Sequence, residues 1–479
     1  MTDASSLMLP NQTAVSTDCM YNLKPSSIRA RSYRASVPSS NKAVFGPSDQ
    51  IIAYIPGGRR CTYLDPMQSY MRVTVQNNDT TAGNYFNFDN TGASLISRYN
   101  SFYSGNSIDS IIQYNALFSY IVDAQLNQSE KFGLSNIYGT SSSTALTNSR
   151  AGLQVFNGQR VTLCLPLLGA FGLGAEKLIP IGALFDDIRL EISTSTFQEA
   201  VVWAIAPTNL INPYTIIDFQ LELQIIELSD EGQNMVESIT PFSRPVYLHA
   251  NSWKHYSGSI PQGTSGVFSS LIPARFASMK SLVVLPRRAT EVTSALAYST
   301  SSRINPCIAS YWFRVGAYVV PQRPIQLYST SNTGGNGDGF CQLQKCFHGM
   351  NRPEMCTGIP YYQYNVVDLT TADATIGGMT ATGQTVIANT GALSCQNAFA
   401  IGQDFECFAN KTDLLLSGMN TLTSQIFFEA NVGWGIASQA PTVAFTLDYY
   451  ANYDLILVLD NGILTAKFKK NIYNTSVYK

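Results

Sequence analysis

The feature that most constrains this chain is a period-two alternation of apolar and polar residues that recurs in both halves. In the first half Met71, Val73 and Val75 alternate with Arg72, Thr74 and Gln76. Val161, Leu163 and Leu165 alternate with Thr162 and Cys164, and Ile188, Leu190 and Ile192 with Asp187, Arg189 and Glu191. Phe219, Leu221, Leu223 and Ile225 alternate with Asp218, Gln220, Glu222 and Gln224. Side chains of an extended strand point to opposite faces in turn, so each run gives one face to a core and one to solvent. Antiparallel sandwich strands read this way.

The second half repeats the pattern. Phe313, Val315, Ala317 and Val319 predict one strand face, and Val443, Phe445, Leu447 and Tyr449 another. Leu455, Leu457 and Leu459 run into Asp460-Asn461-Gly462 and then Leu464, Ala466 and Phe468. Asn and Gly both accept the positive φ of a type I′ turn, so this segment predicts a tight hairpin. One stretch departs from period two: Leu117, Phe118, Ile121 and Val122 recur at three-to-four spacing and predict a helix over 114–125, packed on the end of the first sandwich.

These signals predict an all-β chain of two fused eight-stranded antiparallel sandwiches with short helical insertions. The expected organisation is a flexible N-terminal arm over 1–44, a first sandwich over 45–228 and a polar linker over 229–244. A second sandwich over 245–468 and a tail over 469–479 complete it. A length of 479 residues suits two large β-domains. The arm is rich in Ser, Asn and Pro and is expected to bury too little apolar surface to order alone.

Composition narrows the function. Charged residues are 13% of the chain, against roughly a quarter in an average soluble domain. Ser, Thr, Asn, Gln, Tyr and Phe take their place. Neutral polar groups cost less to desolvate than ions, so such a surface suits a protein that covers itself with copies of itself. The net charge of −2 gives the whole chain no electrostatic footprint for nucleic acid. No apolar run of about 18 residues offers a membrane span. Without a secretory leader, the nine cysteines are expected to be reduced and the protein to be made inside a cell.

Catalytic signatures are missing. There are three histidines, His249, His255 and His348, and no G-x-S-x-G, H-E-x-x-H or P-loop. The glycine-rich stretch from Gly169 to Lys177 is expected to be a turn, not a phosphate cradle. Asp186-Asp187 and Asp404/Glu406 are the nearest carboxylate pairs. Arg189 between Asp187 and Glu191 points to a cross-strand or intersubunit ion pair, not to acid–base chemistry. Cys341, Cys346, His348 and Cys356 offer four soft ligands, but their spacing fits no common zinc motif, so no metal and no cofactor are expected. The basic residues Lys24, Arg29, Arg31, Arg34 and Lys42 cluster in the expected arm and are candidates for contact with an interior or a neighbour.

Several blocks resemble the double jelly-roll major capsid proteins of double-stranded DNA viruses of the virophage and polinton-like type. The segment Ile55-Pro-Gly-Gly-Arg-Arg-Cys-Thr-Tyr-Leu-Asp65-Pro-Met-Gln-Ser-Tyr70 is similar to the opening of that family's first long strand. Residues Leu95 through Gln125 resemble its strand pair and helix. Most characteristic are Leu165-Pro-Leu-Leu-Gly169 and Leu178-Ile-Pro-Ile-Gly-Ala-Leu184 with the Ile188–Ile192 strand. In the second half Ile272–Ser281, Phe399–Gly402 and Ser417–Asn420 are similar to the matching places. The resemblance implies a structural virion protein, not an enzyme: trimers presenting six sandwiches as pseudo-hexagonal capsomers of an icosahedral shell. Implied partners are the chain itself, minor capsid or penton proteins, and, through the N-terminal arm, the genome or an internal membrane. The rival expectation is an extracellular β-sandwich adhesin or lectin.

Overall fold

The computed structural model describes residues 27–141, 151–242, 244–327, 337–346, 358–359, 361–364, 375–376, 379–380, 397–406, 416–433 and 440–467. In the first half the strands are β1 (Ala30–Pro38), β2 (Gln50–Ile55), β3 (Thr62–Asn77), β4 (Tyr85–Asp89), β5 (Ile96–Tyr103) and β6 (Asn106–Ile112). They continue with β7 (Ala151–Phe156), β8 (Arg160–Pro166), β9 (Ile188–Thr194), β10 (Val201–Trp203) and β11 (Tyr214–Leu228). Helices α1 (Tyr114–Gln125), α2 (Gln128–Gly133), α3 (Ser135–Tyr138) and α4 (Phe197–Ala200) lie among them, and α5 (Asp230–Ile239) follows β11.

The second half has β12 (Val246–Ile260), β13 (Gly266–Ile272), β14 (Met279–Arg288), β15 (Ile308–Val315) and β16 (Tyr318–Gln326). Then come α6 (Asp338–Lys345), α7 (Tyr361–Tyr364), the two-residue β17 (Thr375–Ile376) and β18 (Met379–Thr380), β19 (Ile401–Asp404), β20 (Ile426–Val432), β21 (Phe445–Asp460) and β22 (Ile463–Lys467).

Two main antiparallel sheets build each half, and a three-stranded antiparallel sheet, β10-β4-β7, is added in the first. In the first the orders are β1-β11-β3-β8 and β2-β9-β5-β6. In the second they are β12-β21-β14-β19 and β13-β20-β15-β16, with β22 added beside β21. Counting only the strands of these main sheets, the first half runs β1, β2, β3, β5, β6, β8, β9, β11 and the second β12, β13, β14, β15, β16, β19, β20, β21. Both then read 1-8-3-6 and 2-7-4-5. That order is the jelly roll, two Greek keys wrapped into a two-sheet sandwich. The repeat extends to register. The fourth and fifth strands pair Tyr99 with Ile111 in one half and Tyr311 with Ile325 in the other, all four buried.

The alternation explains the sheets. Met71, Val73 and Val75 of β3 are buried, as are Leu163 and Leu165 of β8 and Leu221, Leu223 and Ile225 of β11. The predicted hairpin is present: Asn461 and Gly462 have φ of 48° and 77° and join β21 to β22. The helix over Tyr114–Gln125 is present too, and ten of its twelve residues are buried. Arg303 of the second half meets Asp123 within it, which period analysis of one segment does not reveal.

Three expectations need correction. The face spanning Phe313 to Val319 is two strands, because the chain turns at Gly316, φ 59°, and Ala317. The polar segment 229–244 is not merely a linker: Ser229 caps α5 by accepting the Gly232 amide proton. The arm begins to be structured well before residue 45. Ala30–Pro38 pairs residue for residue with Leu228–Gln220 of β11, and Tyr33, Ala35 and Val37 pack against the core. The physical reason is a short alternation of small and half-apolar residues, too weak to stand out, supported by ion pairs to the neighbouring strand. The tail over 469–479 lies outside the described residues.

Candidate functional site: the seam and the strand edges

No cluster of three or more potential metal ligands occurs among the described residues. Cys341 lies in α6 and Cys346 follows it, whereas His348 and Cys356 lie outside the described residues. Asp187 accepts the Gly57 amide proton at 2.8 Å, and Arg189 pairs with Glu191 on its own strand rather than across strands. Asp404 accepts the Glu406 amide proton at 3.0 Å. Asp187 and Asp404 thus hold backbone amides.

A set of the polar groups that the fold buries lies along the seam between the two sandwiches. There β6, the fifth strand of the first, lies beside β12, the first strand of the second. Ser252 of β12 donates its hydroxyl to the Asp109 carboxylate of β6, 2.6 and 2.7 Å from its two oxygens. Asp109 also accepts amide protons from Ser110 and Ala170. Burial raises its pKa, with these hydrogen bonds acting against the rise. The glycine-rich stretch is a turn, as expected, and it meets the seam. Asn251 donates its amide proton to the Gly174 carbonyl at 2.7 Å, and the Asn251 carbonyl occupies the place where a Cβ on residue 174 would project.

Above this level the seam is ionic. Asp123 of α1 accepts from Arg303 at 2.5 Å and from Lys131 at 2.8 Å, all three side chains being buried. Asp89 accepts amide protons from Ser299, Thr300 and Ser301, capping the segment after β14. Burial pushes its pKa up, opposed by those donors. Nearer the other end the Tyr103 hydroxyl donates to the Gly462 carbonyl at 2.6 Å, and Tyr450 donates to Gln113 at 2.8 Å. One continuous apolar cluster runs through both halves.

His249 of β12 straddles the seam. Its Nε2 lies 2.9 Å from Asp454 of the second sandwich and its Nδ1 2.9 Å from Glu176 of the first. Two carboxylates at the two nitrogens require a doubly protonated ring. The hydrogen bond to Asp454 raises its pKa, against partial burial, and the charges of Asp454 and Glu176 add to the rise. Lys280, 3.1 Å from Asp454, works against it.

Of the predicted basic cluster, Lys24 lies outside the described residues. Arg31 pairs with Glu227 at 2.7 Å, Arg34 with Glu222 at 3.2 Å and Lys42 with Asp49 at 2.7 Å. Arg59 shares Glu227 and Arg72 shares Glu222 while also pairing with Asp218 at 3.1 Å, so this stretch of the β1–β11–β3 face is a network of paired charges. Thus three of the five basic residues brace β1 and its approach. The seam residues Asp89, Asp109, Asp123 and Arg303 were missed by sequence reasoning. Their signal was there: lone charges inside apolar runs, as in Ile108-Asp109-Ser110-Ile111-Ile112 and Ile121-Val122-Asp123-Ala124.

No protein-family model matches the sequence, and no curated protein matches it. Solved structures do match. The PBCV-1 virus capsid aligns over 94% of this chain and 99% of that one, at 11% identity and TM-score 0.58. The Faustovirus major capsid protein aligns over 93% of both chains, at 8% identity and TM-score 0.57. The mavirus major capsid protein aligns over 96% of this chain and 95% of that one, at 9% identity and TM-score 0.51. Strand order, the sealed pair of sandwiches and these alignments lead to one conclusion: the chain has the double jelly-roll fold of those viral major capsid proteins.

Proposed function

We propose that this chain is a major capsid protein, a structural and non-enzymatic component of a virion that assembles with copies of itself. The observation that carries the reading is the repeat. Two jelly rolls of one strand order are fixed side by side by buried ion pairs and hydrogen bonds, which makes a rigid building piece of two near-equivalent units. A rigid piece loses little internal freedom on assembly, so weak contacts repeated many times suffice. The low charge of the surface and its exposed apolar side chains, among them Ile211, Phe185, Ile239 and Tyr318, support burial against copies.

In this reading three copies associate as a pseudo-hexagonal capsomer, and capsomers tile an icosahedral shell together with minor capsid or penton proteins. The exposed guanidinium groups of Arg29, Arg31, Arg34 and Arg59 suit a contact with negative charge or with a neighbour, the genome and an internal membrane being the candidates on the inside. Cys341, Cys346, His348 and Cys356 do not act together as a zinc site in this proposal; elemental analysis finding stoichiometric zinc overturns that part.

The test is negative-stain microscopy with light scattering of the purified full chain. Trimers of hexagonal outline, or closed shells, are the expected result. A stable monomer at micromolar concentration across salt conditions overturns the assembly reading.

A further inference from the structure

Next to His249 the second sandwich brings an amine, an amide and a carboxylate together. Asn251 of β12 stands opposite Asp454 of β21 in the antiparallel register. Strand β14 runs along the other side of β21, and its ladder slips between Met279 and Ser281. Lys280 is the extra residue there. A bulge re-aims the side chain it carries, and Lys280 reaches across β21 towards β12. Its Nζ lies 3.1 Å from Asp454 Oδ1 and donates to Asn251 Oδ1 at 3.0 Å. The Asp454 side chain is 0% exposed and that of Lys280 20%.

The first sandwich completes the site. The Gly174 carbonyl of its turn holds the Asn251 backbone, and Glu176 holds His249, whose other nitrogen faces Asp454. The three groups therefore take up their places only when the two halves have met. An ammonium has no lone pair, so it becomes a nucleophile only by shedding a proton. Asp454 lies within the hydrogen-bond reach that a general base requires. Once neutral, the amine is already held at the amide it can attack, which replaces a chance encounter by a fixed one.

We propose that Lys280 and Asn251 join in an isopeptide bond, with Asp454 as the catalytic residue that moves the protons. Lys280 Nζ gives one proton to Asp454 and attacks Asn251 Cγ with the freed lone pair. As the N–C bond forms and the C–Nδ2 bond breaks, Asp454 passes its proton to Nδ2 and takes a second from Nζ. Ammonia leaves and carries that last proton away as ammonium, and Asp454 is a carboxylate again. No oxidant is consumed, which suits a chain whose described cysteines are all free. The bond closes the loop from β12 to β14, and a closed loop restricts the unfolded state more than the folded one.

The test is intact mass spectrometry of the denatured full chain after incubation at about pH 6 and about pH 9. A mass lowered by one ammonia is expected, and a digest should hold a branched peptide joining the segments of Asn251 and Lys280. Formation should be faster at the higher pH, because the ammonium must lose a proton in the company of Asp454, His249 and Glu176. Lys280→Arg keeps the charge beside Asp454 and should keep the full mass, with cooperative unfolding showing that it folds. Asp454→Asn should slow bond formation at least about a hundredfold. A full wild-type mass at both pH values, with Asn251 and Lys280 in separate peptides, overturns the proposal and leaves an ion pair and a hydrogen bond. Loss of ammonia that persists in Lys280→Arg overturns it too, since the loss then belongs to another asparagine, such as Asn461 before Gly462.

Discussion

The two sandwiches share a strand order, yet their first strands live in different surroundings. Strand β12 has a partner sandwich against its edge: Ala250 and Ser252 are sealed, and His249 is held between two carboxylates. Among the described residues strand β1 has none, and Arg34, Ser36 and Pro38 along it are exposed. The same position in the same fold is thus core in one half and surface in the other. An edge strand is not defined by its sheet alone; what decides its burial is whether another sandwich stands beside it.

Truncation should break this comparison most severely. Removing residues 1–44 strips β1 from β11 and uncovers the sheet beside Leu221, Leu223 and Ile225. At about 1.5–3 kcal/mol for each large apolar side chain fully exposed, the loss is on the order of 5 kcal/mol. Removing only residues 1–26 should leave the denaturant midpoint unchanged. Equal midpoints for the two truncated chains would show that β1 adds nothing to the sandwich.

Next in size is the ionic tier of the seam. Asp123→Ala leaves Arg303 and Lys131 buried without their carboxylate. Breaking a buried pair in this way costs about 3–5 kcal/mol, because a buried cation loses its carboxylate. Urea unfolding of the variant should show that loss. A cost under about 1 kcal/mol would mean that water reaches the pair.

A matched pair of serines sharpens the contrast between edges. Ser252→Ala removes a buried donor to Asp109 and should cost about 1.5–3 kcal/mol, the range for hydrogen bonds to charged groups. Ser36→Ala, whose serine is exposed on the open edge, removes one donor from the buried Glu222, which keeps Arg34 and Arg72, and should cost less than Ser252→Ala. The ratio of the two costs, read from denaturant midpoints of the unassembled chain, measures how much the seam adds.

The smallest effect is the pH dependence at His249. Its folded pKa is raised above the ordinary histidine value, so the protonated ring stabilises the fold fully below about pH 6.5, the unfolded value. That contribution is lost as pH rises through the raised folded value. The melting-temperature difference between wild type and His249→Gln should therefore be larger at pH 5.5 than at pH 8.5. A difference that does not change with pH would remove His249 from the seam's electrostatics.

Much of the architecture could be read from residues alone. Alternation located β3, β8, β9, β11 and β21, because a sheet buried on one face writes its period into the chain. Asn461-Gly462 announced its turn, and three-to-four spacing announced α1. Weaker signals failed for stated reasons. In β1 the inward residues include Ala35, too small to mark a face, and arginines made the segment look like a solvated arm. Arg31, Arg34 and Lys42 read as free charge, since the acids that meet them, Glu227, Glu222 and Asp49, sit on other segments whose approach only folding creates.

The outer faces of the two second sheets show the same division. In the first sandwich Arg189 lies over Phe102, 5.4 Å from the ring, beside Glu191. In the second, Arg314 lies over Phe427 at 4.2 Å, beside Glu429. The register makes the positions equivalent but exchanged: arginine sits on the seventh strand in one half and on the fourth in the other. No linear comparison of the halves shows this, because each position taken singly differs.

The sequence by itself determined what each segment is: which residues turn inward, where chains of strands begin to alternate, and that the surface is poor in charge. Those properties are local, set by backbone period and by the cost of desolvating each side chain. Tertiary structure decided which segments meet. That Asp109 finds Ser252, that Asp123 finds Arg303, and that one first strand is sealed while its equivalent stays open are facts about contacts 143, 180 and more residues apart. Such contacts form only when the whole sandwich closes, since the entropy of bringing distant segments together is repaid by many contacts at once.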